Sequence, residues 1–181
     1  YMKKLKNSEL NRISVSEFKN VSKSPIIIIL DNIRSAHNVG SIFRTCDAFL
    51  ISEIILCGIT ATPPNNEIRK TALGSTESVD WRYFDNIEEV VLNLKKEGFQ
   101  IISIEQADKS LKLEKFSPKK NEKYAFIFGN EIKGIDQKII DISDDIIEIP
   151  QFGTKHSLNV SVSAGIVIWD VFSKISFSQF D

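Results

Sequence analysis

Glu148-Ile149-Pro150-Gln151-Phe152-Gly153-Thr154-Lys155-His156-Ser157-Leu158-Asn159-Val160-Ser161-Val162-Ser163-Ala164-Gly165-Ile166-Val167-Ile168-Trp169 reads as three pieces. A short strand stops at Pro150, which has no N–H to donate; a polar loop turns at Gly153; a buried helix follows. Leu158, Val162, Ile166 and Trp169, with the small residues Ser161, Ala164 and Gly165, suit a helix packed closely against another element. Ser157 is the expected N-cap, its hydroxyl placed to accept from the first open backbone N–H groups. Asn159 then falls in the first turn, where a helix gains little from it. Its amide can both donate and accept beside those open N–H groups, which marks a site.

Upstream of this stretch the chain alternates apolar runs with amphipathic ones. Pro25 opens Ile26 to Leu30, five apolar residues with no wet face, and Tyr124 to Phe128 is similar. Strands buried on both faces imply a parallel sheet covered by helices. Further strands are expected at Glu53 to Cys57, Phe99 to Ile104 and Ile146 to Ile149. Helices are expected from near Asn38 (stripe Val39, Ile42, Phe43, Cys46, Phe49), over Ile87 to Glu97 with Gly98 as its stop, and around Asp136 to Ile142. The class is α/β with a mostly parallel sheet flanked by helices. The polar segment from Gly58 to Ser78 reads as a long connection with a purpose such as covering a ligand.

The 181 residues are 42% hydrophobic, enough for the core of one domain. No apolar run approaches the roughly 20 residues that span a bilayer, and no secretory signal opens the chain, so no membrane partner and a cytoplasmic location are expected. Cys46, Cys57, His37 and His156 lack the spacing of a zinc site, so no metal is expected. The net charge of −1 hides an asymmetry: Lys3, Lys4, Lys6, Arg12, Lys19 and Lys23 against Glu9 and Glu17 leave residues 1–24 at +4 and the remainder at −5. That basic N-terminal arm is either a phosphate-contacting element or a solvated charged helix. Residues 8–22 have only weak helical spacing.

Two more stretches carry polar residues beside these elements. One is Asp31-Asn32-Ile33-Arg34-Ser35-Ala36-His37-Asn38-Val39-Gly40-Ser41-Ile42-Phe43-Arg44-Thr45; the other is Phe126-Ile127-Phe128-Gly129-Asn130-Glu131-Ile132-Lys133-Gly134-Ile135. Arg44 lies off the apolar stripe of its helix, with small neighbours that leave its guanidinium reachable. Gly129 to Gly134 has the spacing that opens a P-loop, but Ile135-Asp136 stands where Lys-Ser/Thr is required, and no Gly-x-Gly-x-x-Gly follows the first strand. Ser157 lies in no Gly-x-Ser-x-Gly elbow, and His156 reads as a surface loop histidine.

Taken in order, the three stretches resemble the three motifs of the SpoU branch of the SPOUT RNA methyltransferases, and the resemblance covers roughly residues 25 to 172. It implies a SPOUT methyltransferase domain over 25–181 whose chain, after the third motif, passes through a loop of the preceding segment in a deep trefoil knot. It implies S-adenosylmethionine as cofactor and transfer of its methyl group to a ribose 2′-hydroxyl of tRNA or rRNA, with no DNA partner. By the same resemblance the catalytic constellation is Arg44, Asn38, Glu131, Ser157 and Asn159, and the cofactor-binding positions are Gly129, Ile149 and Leu158. A homodimer is implied too, and Ile168, Trp169, Val171 and Phe172 give the C-terminal helix more apolar surface than one stripe needs. About 24 residues before the first strand are too few for the separate RNA-binding domain that some relatives carry. The rival readings are a catalytically inactive RNA-binding or assembly protein on the same fold and a small-molecule methyltransferase, which would leave the basic arm unexplained.

Overall fold

The computed structural model describes residues 1–177. In chain order its elements are helix α1 (Val15–Asn20), strand β1 (Ser24–Asp31), α2 (Ala36–Ala48), β2 (Ile51–Cys57), α3 (Asn66–Ala72), α4 (Ser75–Ser78), β3 (Trp81–Phe84), α5 (Ile87–Lys96), β4 (Phe99–Ile104), β5 (Leu111–Lys112), β6 (Lys123–Phe128), α6 (Gln137–Ile142), β7 (Asp145–Glu148) and α7 (Val160–Phe177). The seven strands form one sheet in the order β3-β2-β1-β6-β4-β7-β5. Every pairing in it is parallel.

β1 shows why the sheet is covered on both sides. Ile26, Ile28 and Leu30 point into one apolar cluster with α2 and α7, while Ile27 and Ile29 point into a second cluster with α5 and α6. A strand with no wet face has to sit in the middle of the sheet, and β1 lies between β2 and β6. The long strands and α5 therefore fall where the apolar runs place them. β3 and β5 go beyond the expected strands. They are edge strands of four and two residues, too short and too polar to show a period.

The segment from Gly58 to Ser78 is not the loop expected from its polarity. It holds α3 and α4, which pack on α2. α3 buries only Ile68 and Ala72, so two residues carry its packing and no apolar stripe betrays it. The approach to α2 is close because of Gly40: a Cβ there would run into the carbonyl of Ile68 and the hydroxyl of Thr71. α1 is likewise short, closed by a reciprocal Ser14–Glu17 capping box, with Phe18 as its one buried residue.

Two helix starts differ from expectation. α2 begins at Ala36, and Ser35 caps it by accepting from the Asn38 N–H, so Asn38 is not a cap. α7 begins at Val160, and its cap is Asn159 rather than Ser157: Asn159 Oδ1 accepts from the N–H groups of Ser161 at 2.8 Å and Val162 at 3.3 Å. The shift of two residues turns Asn159 from an awkward interior residue into a favourable N-cap.

The burial of α7 also departs from the reading of its apolar residues. Ile168 and Val171 are buried, with Val160, Ala164 and Val167, against the sheet and α2. The stripe that faces outward is Val162 (50% exposed), Ile166 (39%) and Trp169 (51%), joined by Leu158 just before the helix. Phe49 packs against both Trp169 and Phe172, with ring centroids 5.5 and 5.3 Å apart.

Candidate active site

A parallel sheet gathers the carboxyl ends of its strands along one edge, and ligands of such sheets bind there. Here the ends of β4, β6 and β7 and the entry to α7 enclose a cavity of about 310 Å³. Its walls include Ile104, Phe128, Ile149, Leu158 and Val160, and its polar rim includes Glu105, Glu131 and Ser157. The volume lies at the lower end of the range for small-molecule and cofactor pockets, about 300 to 1,000 Å³. Gly129, Ile149 and Leu158, the expected cofactor positions, all line it. Gly129 is also required for packing, since a Cβ there would sit 2.6 Å from the Gly134 carbonyl carbon and 2.7 Å from Ile135 Cγ1.

Beside this cavity three of the five expected catalytic residues form one hydrogen-bonded chain. The Glu131 carboxylate accepts from the Arg34 N–H (2.8 Å), the Ser35 N–H (3.1 Å) and the Asn38 side-chain amide (3.2 Å). Asn38 Oδ1 in turn accepts from Asn159 Nδ2 at 3.1 Å, and Asn159 Oδ1 caps α7. Partial burial alone would raise the Glu131 carboxyl; the N–H donors of Arg34, of its own backbone and of Ser35, with the Asn38 amide, outweigh it and hold the group below the usual carboxylate range. One residue from each of the three stretches thus meets the others in space.

The remaining two stand apart. Ser157 lines the cavity but makes no hydrogen bond with the described residues. Arg44 is exposed on α2 and pairs with neither Asp47 nor Glu131. Asp47 instead accepts from the Ser78 hydroxyl, and Glu131 is taken as described.

Other residues at this edge carry no motif signal. Glu105 accepts from the Ile135 N–H (3.1 Å) and the Gln106 N–H (2.9 Å), and Gln106 Nε2 donates to the His156 carbonyl at 2.6 Å. Gln106 therefore ties the end of β4 to the loop before α7. Their one sequence signal is position, immediately after a buried parallel strand. The two thiols are buried away from the chemistry; burial pushes Cys57 up to about 12 and Cys46 well above its ordinary value. Among the described residues no helix is long and apolar enough to cross a membrane.

Known proteins are similar to this chain in sequence and in fold. The chain is 32% identical over 150 residues to the 23S rRNA (guanosine-2′-O-)-methyltransferase RlmB of Neisseria meningitidis serogroup B, covering 83% of this chain and 59% of that protein. It is 32% identical over 146 residues to the tRNA (guanosine(18)-2′-O)-methyltransferase of Aquifex aeolicus, covering 80% of this chain and 67% of that protein. Among solved structures, the TrmH/SpoU tRNA modifying enzyme of A. aeolicus superposes with a TM-score of 0.80 at 26% identity, over 91% of this chain and 84% of that one. An AdoMet-bound rRNA methyltransferase from Sinorhizobium meliloti superposes at 0.76 and 25% identity, over 84% of this chain and 58% of that one. The family model for the SpoU rRNA Methylase family matches residues 25–169, which contain the whole sheet except one residue of β1 and all three motifs, and the chain belongs to that family.

Proposed function

We propose that the chain is an S-adenosylmethionine-dependent RNA methyltransferase acting on a ribose 2′-hydroxyl of tRNA or rRNA. The observation that carries this reading is the Glu131–Asn38–Asn159 chain at the mouth of a cavity walled by Gly129, Ile149 and Leu158. Both relatives above are named as 2′-O-methyltransferases, and a family structure is named as AdoMet-bound.

The donor set suits that cofactor. Apolar walls at Ile149 and Leu158 accept an adenine face, and the Gly129 backbone lines the same cavity. When bound, the cofactor supplies an electrophilic methyl group on a sulfonium. A ribose hydroxyl is a weak nucleophile at neutral pH, so the chain has to orient it and stabilise the charge that develops on its oxygen. Arg44 is suited to this, since a guanidinium stays protonated and donates to the oxygen while the proton leaves to water or an RNA phosphate. Glu131, Asn38 and Asn159 hold the ends of α2 and α7 in register for this, and Ser157 offers a hydroxyl on the cavity wall.

The same reading assigns residues 25–181 to the methyltransferase domain, with the knotted C-terminal passage of the family, and residues 1–24 to a basic arm that binds RNA phosphates. It carries a cytoplasmic setting and a homodimer. The dimer is supported by the outward apolar stripe Val162, Ile166 and Trp169. The arm is supported by its charge, although Lys3 pairs with Glu9 at 3.1 Å and Lys19 with Asp80 at 2.5 Å. Because Phe18 is buried, the arm is tested by charge reversal at Lys3, Lys4 and Lys6 rather than by deletion: removing each lysine–phosphate pair should flatten the salt slope of RNA affinity by about 0.7 to 0.9.

The function is tested by incubating the purified chain with AdoMet and with tRNA and rRNA that lack the modification, then digesting to nucleosides for mass spectrometry. A 2′-O-methylnucleoside that forms only with the chain present supports the proposal. AdoMet binding with no methylated nucleoside on either RNA overturns it.

A further inference from the structure

Asn130 sits between Gly129 and Glu131, and both its amide nitrogen and its amide oxygen bond within the protein. Nδ2 donates to the Asn32 carbonyl at 2.8 Å, while Oδ1 accepts from the N–H groups of Ile132 and Lys133, each at 3.0 Å. Its carbonyl accepts from the Gly134 N–H at 2.9 Å, closing the turn that carries Glu131. One amide therefore shapes the turn from inside and staples it to the end of β1.

The staple needs Asn32 in an unusual state. Asn32 has φ +54°, a left-handed conformation that asparagine tolerates better than most residues. Its side chain secures that state from two sides: Nδ2 donates to Asp31 Oδ1 at 3.0 Å, and Oδ1 accepts from the Ile59 N–H at 3.1 Å. Its own N–H donates to the Cys57 carbonyl at 3.1 Å. Gly58, at φ +62°, leaves room for the amide, since a Cβ there would lie 2.9 Å from Asn32 Cγ. Two asparagines thus lock together the carboxyl ends of β1, β2 and β6.

We infer that Asn130 is a positioning residue, which through its bond to Asn32 fixes the 130–134 turn so that the Glu131 carboxylate is aimed at the Arg34 and Ser35 N–H groups and at Asn38. Its kinetic consequence rests on the methyl-transfer reading. Its structural consequence does not. Asn130→Asp separates the two uses of the side chain: an oxygen remains to accept from Ile132 and Lys133, but a second oxygen now opposes the Asn32 carbonyl and the staple is lost.

The test measures hydrogen exchange at the Arg34 and Ser35 amides in the full chain, with Glu131→Ala as the reference for complete loss of the acceptor. Asn130→Asp should speed exchange at these two amides by about tenfold, toward that reference, while amides in the middle of β1 and β6 keep their protection. In single-turnover methylation at saturating RNA and AdoMet, the rate should fall by about tenfold or more, and by more than AdoMet affinity falls. Unchanged exchange at Arg34 and Ser35, or a loss of affinity equal to the loss of rate, overturns the inference. If Asn130→Asp loosens the whole sheet, Asn32→Gly decides: it keeps the left-handed backbone and its carbonyl but removes the ties to Asp31 and Ile59. Exchange at Arg34 and Ser35 should then rise about threefold, and parent-like exchange overturns the inference. A parent chain that transfers no methyl group would sink the proposed function and leave the exchange result to stand alone.

Discussion

Glu131 and Arg44 are both charged, both lie within the stretch that matches the family model, and the fold treats them in opposite ways. Glu131 is half-buried and has its oxygens occupied by two backbone N–H groups and an amide, so its position is fixed before any ligand arrives. Arg44 is exposed, and its side chain bonds to nothing among the described residues. A charge that is fully paired within the protein contributes shape, whereas an unpaired guanidinium contributes little to folding and stays available to a ligand. The comparison predicts that damage at Arg44 appears in catalysis without appearing in stability, and that damage in the Glu131 chain appears in both.

The largest effect is expected at Arg44. Arg44→Ala should lower the single-turnover rate by about 100-fold or more, by analogy with removing an oxyanion donor, and Arg44→Lys should lose most of the rate because an ammonium cannot reproduce the planar fork. Thermal unfolding should move by less than about 0.5 kcal/mol in either variant, and AdoMet affinity by calorimetry should survive. A near-parental rate in Arg44→Ala would make this arginine structural and break the comparison.

Next is the cavity wall. Leu158→Asp places a carboxylate in the apolar wall and should weaken AdoMet binding by about tenfold or more, read by calorimetry on the folded variant. Unchanged affinity would remove the cofactor from this cavity. The outward face of α7 gives the third test: Val162→Asp should shift light scattering from dimer to monomer while leaving the unfolding temperature of the monomer nearly unchanged, because Val162 is 50% exposed and lies outside the buried core. A parent that is already monomeric at micromolar concentration refutes the dimer outright.

Smaller effects sharpen the Glu131 side. Asn159→Ala removes the cap of α7 and should cost about 1 kcal/mol in chemical denaturation, together with a loss of rate, since the same amide bonds Asn38. For Glu131 the sign follows from a carboxyl held below its ordinary value. Its contribution to stability is present above the unfolded pKa of about 4.3 and is lost as pH falls through the lower native value. Glu131→Gln should therefore be less stable than the parent at neutral pH and show a shallower loss in acid. Parallel acid titrations would show that the three N–H donors do not hold the ionised form.

Much of this is legible in the sequence, and the reasons differ by element. β1 and β6 can be read because five consecutive apolar residues cannot present a wet face, and α5 because its stripe is regular and Gly98 stops it. α3, α4, β3 and β5 cannot, because elements that bury two side chains or fewer, or lie at a sheet edge, carry no period. Glu131, Asn38 and Asn159 are identified by resemblance, and the structure joins them. Asn130, Asn32, Glu105 and Gln106 escape a reading of the sequence because they act through single hydrogen bonds between strand ends, and sequence spacing does not show which strand ends are neighbours.

The sequence by itself determined the covered parallel sheet, the family and the residue types of the site, because burial on both faces and the chemistry of side chains are local properties of short stretches. Only the tertiary structure decided that Asn159 rather than Ser157 caps α7, and that Val162, Ile166 and Trp169 look outward while Ile168 and Val171 look in. It alone decided that the Arg44 side chain stays unpaired among the described residues while the Glu131 carboxylate is taken by Arg34, Ser35 and Asn38. The physical reason is that an outward face and the partners of a charge are chosen by competition among groups that meet only when the strands lie side by side. The cap residue is drawn into that competition because its amide also bonds Asn38, 121 residues away along the chain.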